Sequence, residues 1–398
     1  STKSLENIKE AHIIFSYLNE TGKDQQVRFV GGCVRKALSG EKIDDIDLAT
    51  SLEPHEVKKK LTKNDIKVID TGISHGTVTA ILNEKKFEIT TLRKDISTDG
   101  RHAKVNFTSN WEEDAHRRDF TINAIYADIQ GRIFDPLDGI SDLRAGRVKF
   151  IGSVKDRVQE DYLRILRYFR FFINYSRIEY DEATIQSIKQ NINGLNHISK
   201  ERIFDELKKI INTQNIEKIF SNNQLREVFL NIFPQFKFYK RLKKFNKLSV
   251  KIKEKFSYDL ILSLLIIDQT DNYDFFCYKF KTSNKIKEKF KYISHYYDDI
   301  KNKKFYTKQN IKKLIYFMGK DFARDILLFS MCAEIKLDKF NLENNLSYID
   351  SCVVPKLPIS GEDLKRYGYE TGEELGKKLK LLEKKWVDND FVFDKNFV

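Results

Sequence analysis

FVGGCVRKALSGEKIDDIDLAT, Phe29 to Thr50, is the stretch on which the reading of this chain turns. Gln26 to Val30 reads as a strand, Gly31 and Gly32 as its turn, Val34 to Leu38 as the start of a helix, and Asp44 to Ala49 as a second strand. Side chains two apart on a strand share a face, so Asp45 and Asp47 should project together while Ile46 points inward. Carboxylates held that way repel unless a cation lies between them. Hard divalent cations with oxygen ligands, Mg²⁺ above all, suit that place and also bridge nucleotide phosphates. The glycine pair lets backbone amides at a helix start approach a triphosphate, and Arg35 stands beside them to neutralise it. Glu88, in the strand FEITTLR, is the candidate third carboxylate of a two-metal site. Alone, an Asp-x-Asp pair reads more readily as a solvated face, since exposed acids at that spacing are common; preceded by G-G-x-V-R at this distance it points to chemistry.

Working outward, the first 150 residues alternate short apolar runs, helical patterns and turn signals. Pro54 opens a lysine-rich helix to about Lys63, and strands are expected at Lys67 to Asp70, Thr77 to Leu82 and Phe87 to Leu92. These make a small mixed sheet backed by helices. Past about Val154 the strand signals stop, and the remainder should be almost entirely helical, which makes the fold class α+β. Lys237 to Lys255 holds nine lysines or arginines against one acid, Glu254, with aromatic residues interleaved, the pattern of a basic amphipathic helix or helix pair. Pro355, Pro358 and Gly361 punctuate the chain before a final helical unit.

A chain of 398 residues exceeds one compact core, so two to four domains are expected. No window approaches the roughly 18 consecutive apolar residues of a membrane span, and STKSLENIKEAH lacks the apolar core of a signal peptide. A cytoplasmic location without a membrane partner follows as the expectation. The four cysteines are scattered without a C-x-x-C pair, which argues for reduced thiols over a disulfide framework or a thiolate zinc site. Residues 1 to 150 carry 24 basic and 24 acidic side chains, leaving 47 basic and 34 acidic ones after them, so the whole excess of +13 lies in the second part. A field of that sign draws in a polyanion and makes its binding salt-dependent. A lysine-rich genome would raise the same count without any binding.

With these residues in view, the segment from Phe29 to Thr50 resembles the signature of the polymerase β-like nucleotidyltransferase superfamily, in the form used by class II CCA-adding enzymes and bacterial poly(A) polymerases. The resemblance implies that Asp45 and Asp47 are the metal-binding catalytic pair; in a two-metal Mg²⁺ site completed by Glu88, one ion would activate the attacking 3′ hydroxyl and the other stabilise the leaving pyrophosphate. It also implies a catalytic head at 1–150, a helical neck at 151–212, a helical body at 213–350 and a tRNA-binding tail at 351–398. Lys36 departs from the pattern, standing where these enzymes usually carry an aspartate.

Further motifs follow in family order. RRDFTINA, Arg117 to Ala124, resembles the ribose-recognition motif, with Arg118 for phosphate and Asp119 and Asn123 for the sugar hydroxyls. The same letters also suit a salt-bridged helix start. DPLDGISDLRAGRVKFIG, Asp135 to Gly152, looks like the hinge between head and neck. EDYLRILRYFRF, Glu160 to Phe171, resembles the nucleotide-selecting motif, in which Asp161 and Arg164, three apart on a presumed helix, form the base-reading pair and Glu160 and Arg167 brace it. Cytosine and adenine each offer an amino donor beside a ring acceptor, matching a carboxylate beside a guanidinium; uracil and guanine present the reverse order. Each lost charged hydrogen bond costs roughly 1.5–3 kcal/mol, so two could discriminate about 10²- to 10⁴-fold. Read without the resemblance, the two are an ordinary surface ion pair.

HISKERIFDELKKI, His197 to Ile210, resembles the helix-turn motif that closes the neck, with Ser199 as its N-cap. RKDISTDGRHAKVNF, Arg93 to Phe107, matches the mobile loop that CCA-adding enzymes use in switching from C to A, with Asp99, Gly100 and Arg101 at its centre. DTGISHGTVTAIL, Asp70 to Leu82, lacks the basic, aromatic character of the poly(A) polymerases. Gly361, Gly368 and Gly376 in the last unit are expected to form tight turns near tRNA phosphate. The resemblance therefore implies untemplated addition of CCA to the 3′ end of tRNA from CTP and ATP. A poly(A) polymerase, the A-adding partner of a split system, and an RNA-binding protein without activity are the alternatives.

Overall fold

The turn at Gly31 is where the first strand hands over to the first helix of the head, and the sheet is built around it. The computed structural model describes residues 2–20, 25–72, 75–95, 105–213, 215–333 and 339–394. The chain divides into two compact units, Ser1–Val228 and Phe229–Val398. In the first, α1 (Lys3–Glu6) and α2 (Lys9–Leu18) precede β1 (Val27–Val30), α3 (Gly32–Ser39), β2 (Ile46–Thr50) and α4 (Pro54–Thr62). Next come β3 (Lys67–Gly72), β4 (Thr77–Leu82), β5 (Lys85–Thr91), and the short pair β6 (Arg93–Asp95) and β7 (Val105–Phe107). The seven-stranded sheet has the order β3-β4-β5-β2-β1-β8-β9, where β8 is Tyr126–Ala127 and β9 is Ile133–Phe134. Only β2 and β5 run parallel, which makes the sheet mixed as expected.

One face of the sheet carries the alternate apolar residues Val27, Phe29, Leu48, Val78, Ala80, Phe87 and Ile89, which pack in one core with Ile14 and Phe15 of α2 and Val57 and Leu61 of α4. That burial leaves the opposite set, including Asp47, Thr77, Thr79, Glu88 and Thr90, on the other face. The structure adds β8 and β9, which sequence reading did not find. It also turns the ends of the segment from Arg93 to Phe107, expected to lack regular pattern, into a paired ladder. Asp99, Gly100 and Arg101 lie outside the described residues.

The helices that follow belong to the same unit: α5 (Trp111–His116), α6 (Gly139–Ala145), α7 (Val154–Glu160), α8 (Arg164–Tyr175), α9 (Glu182–Asn191), α10 (Lys200–Asn212) and α11 (Glu217–Ser221). Aromatic packing fixes α8. Phe120 lies 4.6 Å from Phe150 and 5.3 Å from Phe171, and Phe150 stacks on Tyr168 at 5.6 Å. Ser199 caps α10 by accepting from the Arg202 amide, as the sequence predicts.

The second unit has helices and no strand among its described residues. The basic run resolves into two short helices, Arg241–Asn246 and Val250–Lys253, with Leu242, Phe245 and Ile252 buried. Arg241 turns inward and donates to the carbonyls of Leu264 and Ile267 at 3.1 and 2.8 Å. The final helices are Gly361–Arg366 and Glu373–Asp388, which meet through Leu364 and Leu382. Of the three glycines expected to form turns there, only Gly368 has positive φ, at 93°; Gly361 and Gly376 are helical. No helix among the described residues is long and apolar enough to cross a membrane.

At Gly194, in the turn between α9 and α10, a Cβ would stand 1.9 Å from Cε1 of Tyr162, so the ring that projects from the break between α7 and α8 lies directly on the Gly194 backbone. Gly194→Ala should therefore destabilise the first unit by about 1–3 kcal/mol, read as a lower denaturation midpoint. An unchanged midpoint would show that the ring can move aside.

Candidate active site

A cleft of about 840 Å³ opens where β1 ends and β2 begins. Gly31 caps α3 with φ 65°, a conformation that favours glycine, and its amide donates to the Ile125 carbonyl at 3.2 Å. The amides without an intrahelical partner are therefore those that follow, from Gly32 on, where an anion would be favoured. This narrows the expected phosphate contact from both glycines to the second.

The carboxylates gather at the same edge. Parallel pairing sets Asp47 beside Glu88 in register, so the two project from neighbouring strands on one face. Asp45 lies just before β2 and is exposed, so it shares the cleft with Asp47 without being a strand residue. Burial, then the charges of Glu88 and Asp45, push the Asp47 carboxyl up to about 6, against the pull of Arg118 and Arg35. Among the described residues no three acidic, histidine or cysteine side chains form a ready-made metal cage. An all-oxygen set that repels itself nonetheless suits a hard divalent cation that keeps waters and takes further ligands from a substrate phosphate. Lys36, the departure from the motif, pairs with Asp44 at 3.0 Å and lines the cleft.

The opposite wall is cationic. Arg35 is 6% exposed; its guanidinium lies 4.8 Å from the Phe171 ring and 4.7 Å from that of Tyr175, and it donates to the Asn123 side chain. Its Nε is buried with no hydrogen-bond partner. Arg118 donates to Asp114 from Nε and Nη2 at 3.2 and 3.0 Å, and Arg117 from Nε at 2.9 Å. Burial acts to raise the Asp114 carboxyl, but Arg118 and Arg117 outweigh it and hold it near 2. Asp119 is likewise held near 2, with Arg167 overcoming burial. Both Asp119 oxygens are occupied: one accepts from the Phe120 amide and Asn123 Nδ2, both at 2.9 Å, the other from Arg167 Nε at 2.7 Å. Arg118, Asp119 and Asn123 thus all line the cleft, yet Asp119 and Asn123 are bonded to protein.

The base-reading pair needs correction. Asp161 ends α7 in an extended conformation, φ −151°, and Arg164 begins α8, so the two do not sit on one helix and the i, i+3 premise fails. Asp161 accepts from Arg202 at 2.9 Å, while Arg164 donates to Glu160 at 2.6 Å and to the Arg117 carbonyl at 3.3 Å. Neither is among the residues lining the cleft, although Arg164 touches the backbone of one that is. Glu160 does hold Arg164; Arg167, expected to brace the same pair, binds Asp119 instead. Sequence reading missed Arg117, Arg170 and Lys209 of the cleft wall, the buried Asp114 that pairs with Arg117 and Arg118, and Arg202. Arg117 was legible beside Arg118 in RRDFTINA; a lone buried aspartate such as Asp114 gave no signal.

Comparison with known proteins follows this geometry. Residues 27–149 match the family model described as "Poly A polymerase head domain", and residues 178–239 match "Probable RNA and SrmB- binding site of polymerase A". The mitochondrial CCA tRNA nucleotidyltransferase 1 of Mus musculus is 34% identical over 94% of this chain and 86% of its own length. A CCA-adding enzyme of Streptococcus pyogenes is 30% identical over 97% and 95%. The crystal structure of the Bacillus stearothermophilus CCA-adding enzyme in complex with CTP superposes with a TM-score of 0.74 at 26% identity, covering 96% of this chain and 93% of that one.

The raised Asp47 carboxyl fixes the sign of a stability effect. An unfolded aspartate ionises near 3.9, so the folded state takes up a proton first as pH falls, and the penalty from Asp47 is full above pH 6 and fades towards pH 4. Asp47→Asn should raise the melting temperature at pH 7.5 and flatten its rise on acidification. Divalent cation should raise the wild-type melting temperature more than the variant's; equal responses would remove Asp47 from the cation site.

Proposed function

The chain belongs to the CCA-adding tRNA nucleotidyltransferase family, and on that premise we propose that it completes the 3′ end of tRNA from CTP and ATP in the cleft between Gly31 and Arg170. It is a template-independent nucleotidyltransferase. The observation that carries the residue assignment is the meeting of two opposite charge sets in one cleft: Asp45, Asp47 and Glu88 on one side, Arg35, Arg117 and Arg118 on the other. A nucleoside triphosphate with a divalent cation has this complementary pattern, since its phosphates suit the arginines and its cation the acids.

In this reading Asp45 and Asp47, with Glu88 as third carboxylate, would hold Mg²⁺. When bound, the ion supplies acidification of the attacking hydroxyl and charge neutralisation on the phosphates. The protein's own part is placement. Gly32 and α3 present amides to the triphosphate, and Arg35 and Arg118 neutralise it. Asn123 and Asp119 lie beside the sugar position, Asp119 acting through the bonds it makes to Asn123 and Arg167. The 3′ hydroxyl of the tRNA attacks the α-phosphorus, a new phosphodiester bond forms, and the bond to pyrophosphate breaks. Residues 1–150 would be the head, 151–212 the neck, 213–350 the body and 351–398 the tail, the body carrying most of the positive excess, with 27 basic against 16 acidic side chains, towards tRNA.

Asp161 and Arg164 are proposed to read the base edge. Arg164 has then to leave Glu160, and Asp161 has to share Arg202, when a nucleotide binds. The family motif and the contact of Arg164 with Arg117 support this assignment.

Two outcomes test the proposal. Incubated with tRNAs ending before CCA, at CC and at CCA, with labelled nucleotides supplied singly and together, the protein should add three, one and no nucleotides; a long adenosine tail would select the polymerase alternative. Arg164→Ala should erode the preference for CTP and ATP over UTP about tenfold or more while changing triphosphate affinity less. Discrimination that survives intact would remove Arg164 from base reading.

A further inference from the structure

Asp114 stands just before RRDFTINA, outside the stretches singled out in the sequence, yet it organises the cationic wall of the cleft. It is 0% exposed and lies on α5, behind the cleft. Two guanidiniums converge on it: Arg117 through Nε at 2.9 Å and Nη2 at 2.7 Å, and Arg118 through Nε at 3.2 Å and Nη2 at 3.0 Å. Both arginines present the same edge to the carboxylate, which leaves Nη1 of each outside the pairing. Nη1 of Arg118 lies beside the glycine turn, 3.7 Å from where a Cβ on Gly31 would stand. The hydroxyl of Tyr126 donates to Asp114 at 2.7 Å, and the amide of Arg93, the first residue of β6, donates at 3.3 Å. One buried carboxylate therefore collects donors from the two residues after α5, from β6 and from β8.

Two adjacent guanidiniums repel, and an exposed arginine samples many rotamers. A single carboxylate shared between them cancels one of the two charges, orders both side chains, and leaves a net positive charge directed at the cleft. We infer that Asp114 is a positioning residue for nucleotide binding, holding Arg117 and Arg118 so that their free edges meet the phosphates of the incoming triphosphate. It acts through the two arginines and touches no substrate. The inference rests on the reading that triphosphate occupies this cleft.

Charge alone makes the opposite prediction, which is what renders the inference testable. Removing a negative charge from beside an anion site should strengthen anion binding if position were irrelevant. The test is calorimetric titration of the full-length protein with pyrophosphate and with CTP, compared with titration by tRNA lacking CCA. Asp114→Asn should weaken pyrophosphate and CTP binding about tenfold, the scale of one lost charged hydrogen bond, and leave tRNA affinity unchanged. In steady-state kinetics the loss should appear mainly in the KM for CTP and ATP. In an Arg117→Met/Arg118→Met background the same substitution should have little further effect on pyrophosphate affinity, whereas a general loosening of the fold would persist there. Should Asp114→Asn fold poorly, Tyr126→Phe removes one of the carboxylate's donors from a well-packed ring and should weaken pyrophosphate about two- to threefold. Unchanged or tighter pyrophosphate binding by either variant overturns the positioning role. Failure of the wild type to bind pyrophosphate and CTP would instead overturn the reading of the cleft on which it rests.

Discussion

Two acidic side chains standing side by side on parallel strands are the constraint around which this head is organised. The register of β2 and β5 places Asp47 and Glu88 next to each other at a strand spacing of about 4.8 Å, an arrangement that like charges disfavour. Nothing in the sheet relieves it, because the apolar alternates of both strands are committed to the core on the other face. A one-residue slip would relieve the acids only by exposing Phe87 and Leu48. Burial of those side chains is therefore what holds the acids together, and the Asp47 carboxyl is raised by its own burial first and by the charges of Glu88 and Asp45 after it.

The opposite wall meets a second electrostatic problem, the concentration of arginines in a partly dry cleft. Buried charges persist when paired and hydrogen-bonded. Here Asp114 serves Arg117 and Arg118, Asp119 serves Arg167, and Glu206 serves Arg170. Arg35 differs. Its hydrogen-bond partner is the neutral Asn123, and aromatic faces of α8 cover its guanidinium. Such an arginine keeps its full charge for a ligand. The network also joins α8 to the segment at Phe120 through the same aromatic cluster that packs them, so cation placement and helix packing are one structure.

The mutual ion pair expected of Asp161 and Arg164 failed for a local reason. Helical spacing was assumed across Glu160 to Phe171, but the chain breaks at Asp161 into an extended residue before α8 begins. Apolar periodicity could not reveal this, since Leu163, Ile165, Leu166 and Phe169 continue the helical pattern through the break and are buried. Tyr162, within the break, lies on Gly194, 32 residues further along the chain. The two-residue strands β8 and β9 were invisible for a related reason: they are too short to show alternation and exist because β1 offers an edge to pair with.

By itself the sequence determined the strands of the head from β1 to β5, the helical character of the chain past about Val154, and the acidic motif with its glycine turn. These follow from periodicity and turn chemistry, which are local and survive in a linear string. The tertiary structure alone decided that the Gly31 amide is taken by Ile125, that Asp114 gathers two arginines, and that Asp161 and Arg164 face different partners. Each of these is a pairing between residues set by packing, and charge attraction acts through distance in space, which residue spacing along the chain does not encode.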